Sequence, residues 1–129
     1  MNNLKETTVK NILIIEDNEN MLRMMSDLLG RAGYSILTAT DGVQGLKKFK
    51  THTPDLVITD IIMPDKEGLE VIMELNKQQP RPKVIAVSGG GILEPQTYLS
   101  LAKKLGADNT LAKPFRPAEL LSLVKQLLA

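Results

Sequence analysis

A chain of 129 residues, 43% hydrophobic and 24% charged, is long enough for one domain with a real core and has the composition of an ordinary globular protein. A net charge of +1 excludes a basic field that would draw in nucleic acid. The absence of cysteine excludes disulfides and thiolate metal sites, and 3% aromatics leave too few rings for a stacking platform.

Residues 1–9 read as a polar N-terminal arm, without the apolar core of a signal peptide. No later apolar run approaches the length of a membrane span, so a cytoplasmic protein without membrane contact is expected. From residue 10 to 129 the pattern predicts one domain of alternating strands and helices. Residues 11–15 form a continuous apolar, β-branched run, the mark of a strand buried on both faces. Asp17 or Asn18 can cap the next helix, whose inner stripe is Met21, Met25, Leu28, Leu29 and Ala32. Gly33 stops it. A second strand covers 35–39, Asp41-Gly42 turns the chain, and Val43, Leu46 and Phe49 predict a short second helix. The third strand is 56–59 and the third helix 68–78, with Leu69, Ile72, Met73 and Leu75 apolar. Pro80 and Pro82 separate it from a fourth strand over 83–87. Gly89-Gly90-Gly91 reads as a loop, and Pro95 suits the first turn of a helix running to about residue 105. A fifth strand covers 109–112, and Pro117 opens a last helix with Leu120, Leu121, Val124, Leu127 and Leu128 inward.

Five such β-α units imply a parallel sheet covered on both faces. For five strands the order 2-1-3-4-5 is the common solution, and its switch point lies between strands one and three. Those strands end in Glu16-Asp17 and in Asp60. Strands four and five end at Ser88 and Lys113. In a parallel sheet all of these ends share one edge.

Three crowded carboxylates disfavour full ionisation unless a cation intervenes. Oxygen donors without His or Cys select a hard ion such as Mg²⁺. Lys113 offers a point charge for a phosphate oxygen, Ser88 a hydroxyl, and Gly89 room for a group to approach the backbone. The ensemble suits a dianionic tetrahedral group, with Asp60 as the acceptor that would become an acyl phosphate.

Glu16-Asp17, Asp60-Ile61-Ile62-Met63-Pro64, Ser88-Gly89, Leu105-Gly106-Ala107-Asp108 and Lys113-Pro114-Phe115 together resemble the receiver domain of two-component response regulators, over residues 11–128. The resemblance implies a flavodoxin-like (βα)5 three-layer α/β sandwich. It implies Mg²⁺-dependent transfer of a phosphoryl group to Asp60 from a sensor histidine kinase or a histidine phosphotransfer protein. It implies a metal site of Asp17, Asp60 and the backbone carbonyl of Ile62, with Glu16 acting through water. Lys113 would pair with Asp60 and then with the phosphoryl group, and Lys113-Pro114 would be cis. The polar stripe Asn20, Arg23, Asp27 and Arg31 of the first helix reads first as a solvated face, and the resemblance adds kinase docking as the alternative. Residues 94–129 would form the face for a homodimer or output partner. Such a domain catalyses its own phosphorylation and slow dephosphorylation and is otherwise no enzyme.

The chain departs from the family at Thr110, where a switch aromatic is usual, so the 89–93 loop is expected to carry the signal by ordering. Ile62 and Gly90, which offer no polar group to an attacking water, predict a slowly hydrolysed phospho-Asp60. Two other function classes compete. A haloacid-dehalogenase-like phosphatase would need its nucleophile on strand one in a D-x-D spacing, and the acids there are adjacent. A docking-only pseudo-receiver would have lost an acid or the lysine, and this chain keeps them all.

Overall fold

The computed structural model describes residues 8–62, 68–89 and 94–129, so most of the N-terminal arm, Met63, Pro64 and the 90–93 part of the glycine loop lie outside the described residues. Among the described residues, strands β1 (Asn11–Ile15), β2 (Ser35–Ala39), β3 (Leu56–Asp60), β4 (Lys83–Ser88) and β5 (Asn109–Ala112) alternate with helices. The helices are α1 (Glu19–Arg31), α2 (Gly42–His52), α3 (Gly68–Asn76), α4 (Pro95–Lys104) and α5 (Pro117–Leu127). All strand pairs are parallel, in the expected order β2-β1-β3-β4-β5. None of the helices is long and apolar enough to cross a membrane.

The period-two alternation of a strand divides the core into two layers. Leu13, Ile15, Val57, Val84 and Ala86 face α2, α3 and α4, where they meet Phe49, Ile72 and Leu75. Ile12, Ile14, Ile58, Ile85 and Val87 face the other way, against Met25 and Leu29 of α1 and Leu120 and Val124 of α5. The strands read as continuous apolar runs because both of their faces are buried.

Helix ends follow the local chemistry. Asn18 Oδ1 accepts from Met21 N at 2.9 Å and Asp41 Oδ1 from Gln44 N at 2.8 Å, each meeting an orphan donor of a first turn. Gly33, at φ 102, takes the left-handed turn that ends α1. First turns carry Glu19, Glu70 and Glu119, and last turns carry Arg31, Lys50, Lys103, Lys104 and Lys125. Three residues of the apolar helix patterns face out: Ala32 is exposed at the C-cap of α1, Val43 is 47% exposed and Met73 45% exposed. The buried stripes are narrower than the hydropathy pattern: Gly45, Leu46 and Phe49 seat α2, and Val71, Ile72 and Leu75 seat α3.

At the edge where the strands begin, Arg81 ties three segments together. Its guanidinium donates to Asn76 Oδ1 at 2.6 Å, Pro82 O at 2.9 Å, Asp108 Oδ2 at 3.0 Å and also to Gly106 O. Asp108 Oδ2 accepts Val84 N at 2.7 Å as well. The clamp joins the end of α3 to the α4–β5 turn. Arg81→Ala is expected to lower stability by about 1–2 kcal/mol, a modest loss because both charged partners are partly solvated. The midpoint of urea unfolding followed by circular dichroism measures it.

Candidate functional site

Register brings the expected residues to one place. Ile15 lies beside Thr59, Asp60 beside Val87, and Ser88 beside Ala112, so Glu16, Asp60, Ser88 and Lys113 emerge at the same edge from β1, β3, β4 and β5. Glu16 is 1% exposed, Asp60 7% and Ser88 is fully buried, while Asp17 is open to solvent. Carboxylate oxygens of Glu16, Asp17 and Asp60 lie within 4.8 Å of one another. An all-oxygen donor set of that size fits a hard divalent ion, since Mg²⁺ takes one or two carboxylates and keeps water on its other positions.

Lys113 is the cation in the cluster. Its Nζ donates to Glu16 Oε1 at 2.8 Å and to Asp60 Oδ2 at 3.3 Å. The other Glu16 oxygen accepts Asn18 N at 3.0 Å, and Asp60 Oδ1 accepts Ile62 N at 3.4 Å. The lysine backbone is fixed by Lys113 N donating to Ser88 O at 2.9 Å, and the Lys113–Pro114 peptide is cis. Gly89 lies under the lysine stem: a Cβ there would stand 3.1 Å from Lys113 Cβ and 3.2 Å from its Cδ.

Burial pushes both the Glu16 and Asp60 carboxyls above their ordinary values. The hydrogen bond from Lys113 opposes this at Glu16, where the Asp60 charge adds to it. At Asp60 the Lys113 charge opposes it and the Asp17 charge adds to it. Burial pulls the Lys113 ammonium down, but its hydrogen bond to Glu16 and the attraction of Asp60 outweigh that and hold it above its ordinary value. The cluster therefore holds a charged lysine beside two acids whose ionised forms burial and mutual repulsion disfavour, a balance that a further cation would improve.

Gly68 was read from the pattern only as a helix start, and the structure gives it a second role. Gly68 N donates to Ile61 O at 2.7 Å, and a Cβ on it would fall 2.1 Å from Asp60 O and 2.5 Å from Ile61 Cα. The first turn of α3 is thus pressed against the backbone that carries Asp60. A glycine eight residues after the acid, at the start of an apolar helix, was the available signal.

Thr110 is half-buried on β5, beside Ala86 of β4. A groove of about 490 Å³ opens there, lined by Thr110, Leu111, Arg116, Glu119, Ser122 and Leu123 among others. A second groove, of about 550 Å³, lies away from the carboxylates between α1 and α5, where Met24, Leu28 and Leu121 are flanked by Asp27, Arg31 and Lys125.

The sequence model of the family described as "Response regulator receiver domain" matches residues 12–125. The chemotaxis protein CheY of Thermotoga maritima is 34% identical over 91% of this chain and 96% of its own length. The alkaline phosphatase synthesis transcriptional regulatory protein PhoP of Bacillus subtilis is 34% identical over 92% of this chain and 48% of its own length. The chain spans about half the length of that regulator and of the probable transcriptional regulators ycf27 of Cyanophora paradoxa and Cyanidium caldarium. Among solved structures, a CheY-like receiver domain protein from Methanospirillum hungatei superposes with a TM-score of 0.83 at 32% identity, over 92% of this chain and 93% of that one. A receiver domain described as BeF3-activated DrrB superposes with a TM-score of 0.82 at 26% identity, over 94% of this chain and 98% of that one.

Proposed function

The chain belongs to the response regulator receiver domain family, a two-component signalling family and not a family of classical enzymes, and on that premise we propose that it is a phosphoryl-accepting switch whose acceptor is Asp60. The observation that carries this reading is a carboxylate 7% exposed at the end of β3, flanked by two further acids and a lysine. An Asp60 oxygen attacks the phosphorus of a phosphohistidine on a sensor kinase or phosphotransfer protein. The N–P bond breaks, its electron pair returns to the imidazole nitrogen, and the new O–P bond makes an acyl phosphate. Glu16, Asp17, Asp60 and the Ile62 carbonyl are the residues that would hold Mg²⁺, which when bound neutralises charge on the phosphoryl oxygens. Lys113 supplies the second cation, Ser88 a hydroxyl donor, and Gly89 the space beside them.

Partners follow from the same reading. The apolar floor and charged rim of the α1–α5 groove suit the kinase, and the reading keeps the protein in the cytoplasm. The face formed by α4, β5 and α5 is the output or dimer surface. Without an aromatic at 110, a change at Ser88 has no ring to move, so the groove beside Thr110 is open in the unmodified chain.

Incubation with acetyl phosphate and Mg²⁺ is expected to add the mass of one phosphoryl group. Wild type in excess EDTA and Asp60→Asn in Mg²⁺ are both expected to stay unlabelled. An unlabelled wild type, or a fully labelled Asp60→Asn, overturns the assignment.

A further inference from the structure

We propose that Glu16 is a positioning residue for Lys113: it is the resting seat of the ammonium and acts on phosphoryl transfer to Asp60 through that lysine. The inference rests on Asp60 being the acceptor and adds a division of labour among the acids around it. Of the two carboxylates that Lys113 reaches, Glu16 holds it at 2.8 Å and Asp60 at 3.3 Å. The first is the length of a charge-assisted hydrogen bond, the second is long for one.

Glu16 is built to hold still. Its second oxygen is occupied by Asn18 N at 3.0 Å, and Asn18 is itself fixed by capping Met21 N at 2.9 Å. At 1% exposure the carboxylate has no competing water shell. The other end of the lysine is fixed by Ser88 O on its backbone, and its stem passes over Gly89, where a Cβ would crowd it. The side chain is therefore tied at both ends, by the backbone and by Glu16. A free lysine loses much rotamer freedom when it is captured, and this seat takes that loss before the reaction begins.

The seat also protects the nucleophile. An ammonium bonded tightly to Asp60 would occupy the lone pair that must attack phosphorus. Held on Glu16, the charge stays beside Asp60 Oδ2 and meets the incoming phosphoryl oxygens instead.

A double-mutant cycle on the full chain tests this, with acetyl phosphate and saturating Mg²⁺ so that metal affinity does not enter. Glu16→Gln is expected to slow labelling of Asp60 by roughly tenfold to a hundredfold in the wild-type background. In a Lys113→Ala background the same change is expected to alter the rate by less than about twofold. Equal losses in both backgrounds would mean that Glu16 acts on the metal or the fold, and would sink the proposal. Labelling of wild type separates the two levels: if it fails, the acceptor reading fails, and if it succeeds while the cycle is additive, only the seat fails. A second measurement needs no Glu16 variant. In metal-free Asp60→Asn, ¹³C relaxation at Lys113 Cε is expected to report a side chain as ordered as in wild type. A lysine that becomes mobile there overturns the seat, because Asp60 would then be what holds it.

Discussion

Gly68→Ala is expected to destabilise the protein by about 3 kcal/mol or more and to slow labelling of Asp60 in the same variant. The Cβ would sit 2.1 Å from Asp60 O and 2.9 Å from Asp60 C. Both are backbone atoms of a strand that is paired on both sides and has no side-chain freedom with which to yield. Either α3 lifts away, opening the layer around Val71, Ile72 and Leu75, or the end of β3 shifts and takes the acceptor carboxylate with it. The control is Gly30→Ala in α1, where nothing lies within 4 Å of the added carbon. There the substitution is expected to be stabilising by roughly 0.5–1 kcal/mol, as for any glycine in a helix interior. Urea midpoints for the pair decide it: equal stability of the two variants would show that the α3 contact yields cheaply.

Asp60→Asn is expected to be more stable than wild type at neutral pH by about 0.5–2 kcal/mol, although it cannot be phosphorylated. Burial raises the folded-state carboxyl above its ordinary value of 3.8. Between that value and the raised one, the folded chain binds more protons than the unfolded chain, so wild-type stability falls as pH rises through the window. Above the window the penalty is constant; below pH ~4 both states are protonated and it vanishes. Glu16, also raised by burial, adds a slope of the same sign, smaller in the variant because the Asp60 charge that adds to the Glu16 shift is gone. The variant's advantage should therefore be full at neutral pH and shrink on acidification, as measured by melting temperature against pH. Millimolar Mg²⁺ should narrow the gap from the other side, because it binds the folded wild type more tightly than the variant. A variant less stable than wild type at pH 7 would refute this reading of the cluster.

Most of the architecture was legible because continuous apolar runs such as 12–15 and 56–59 have only one use in a chain of this size, as strands with helices on both faces. The ends were harder. β3 and β4 each run one residue further than the hydropathy pattern, to Asp60 and Ser88, because the ladder continues past the last apolar side chain. α3 stops at Asn76, before the expected 78, where Lys77 N and Gln78 N turn to carbonyls three residues back. The site residues were legible as types at strand ends, since parallel strands bring their ends together wherever they fall in the chain. Their pairing was not. That Lys113 leans on Glu16 more closely than on Asp60 depends on which carboxylate is already held by a neighbour's N–H, and no spacing encodes that. The Arg81–Asp108 clamp was hidden for the same reason, its partners being 27 positions apart.

The alternation of strand and helix has one consequence that reaches beyond the site. Every helix begins at the edge where the strands end, so all five peptide dipoles point their positive ends the same way. Side-chain charges oppose them, with Glu19, Glu70 and Glu119 at the positive pole of the dipoles and Arg31, Lys50, Lys103, Lys104 and Lys125 at the negative pole. A chain of formal charge +1 thus keeps full side-chain charges of opposite sign at its two poles, set against the half-charges of the helix ends. A charged partner therefore feels little net pull, and what acts on it at a distance is the turning moment of the two poles. Orientation rather than attraction is what long-range electrostatics contributes to its encounters, and that contribution fades with salt.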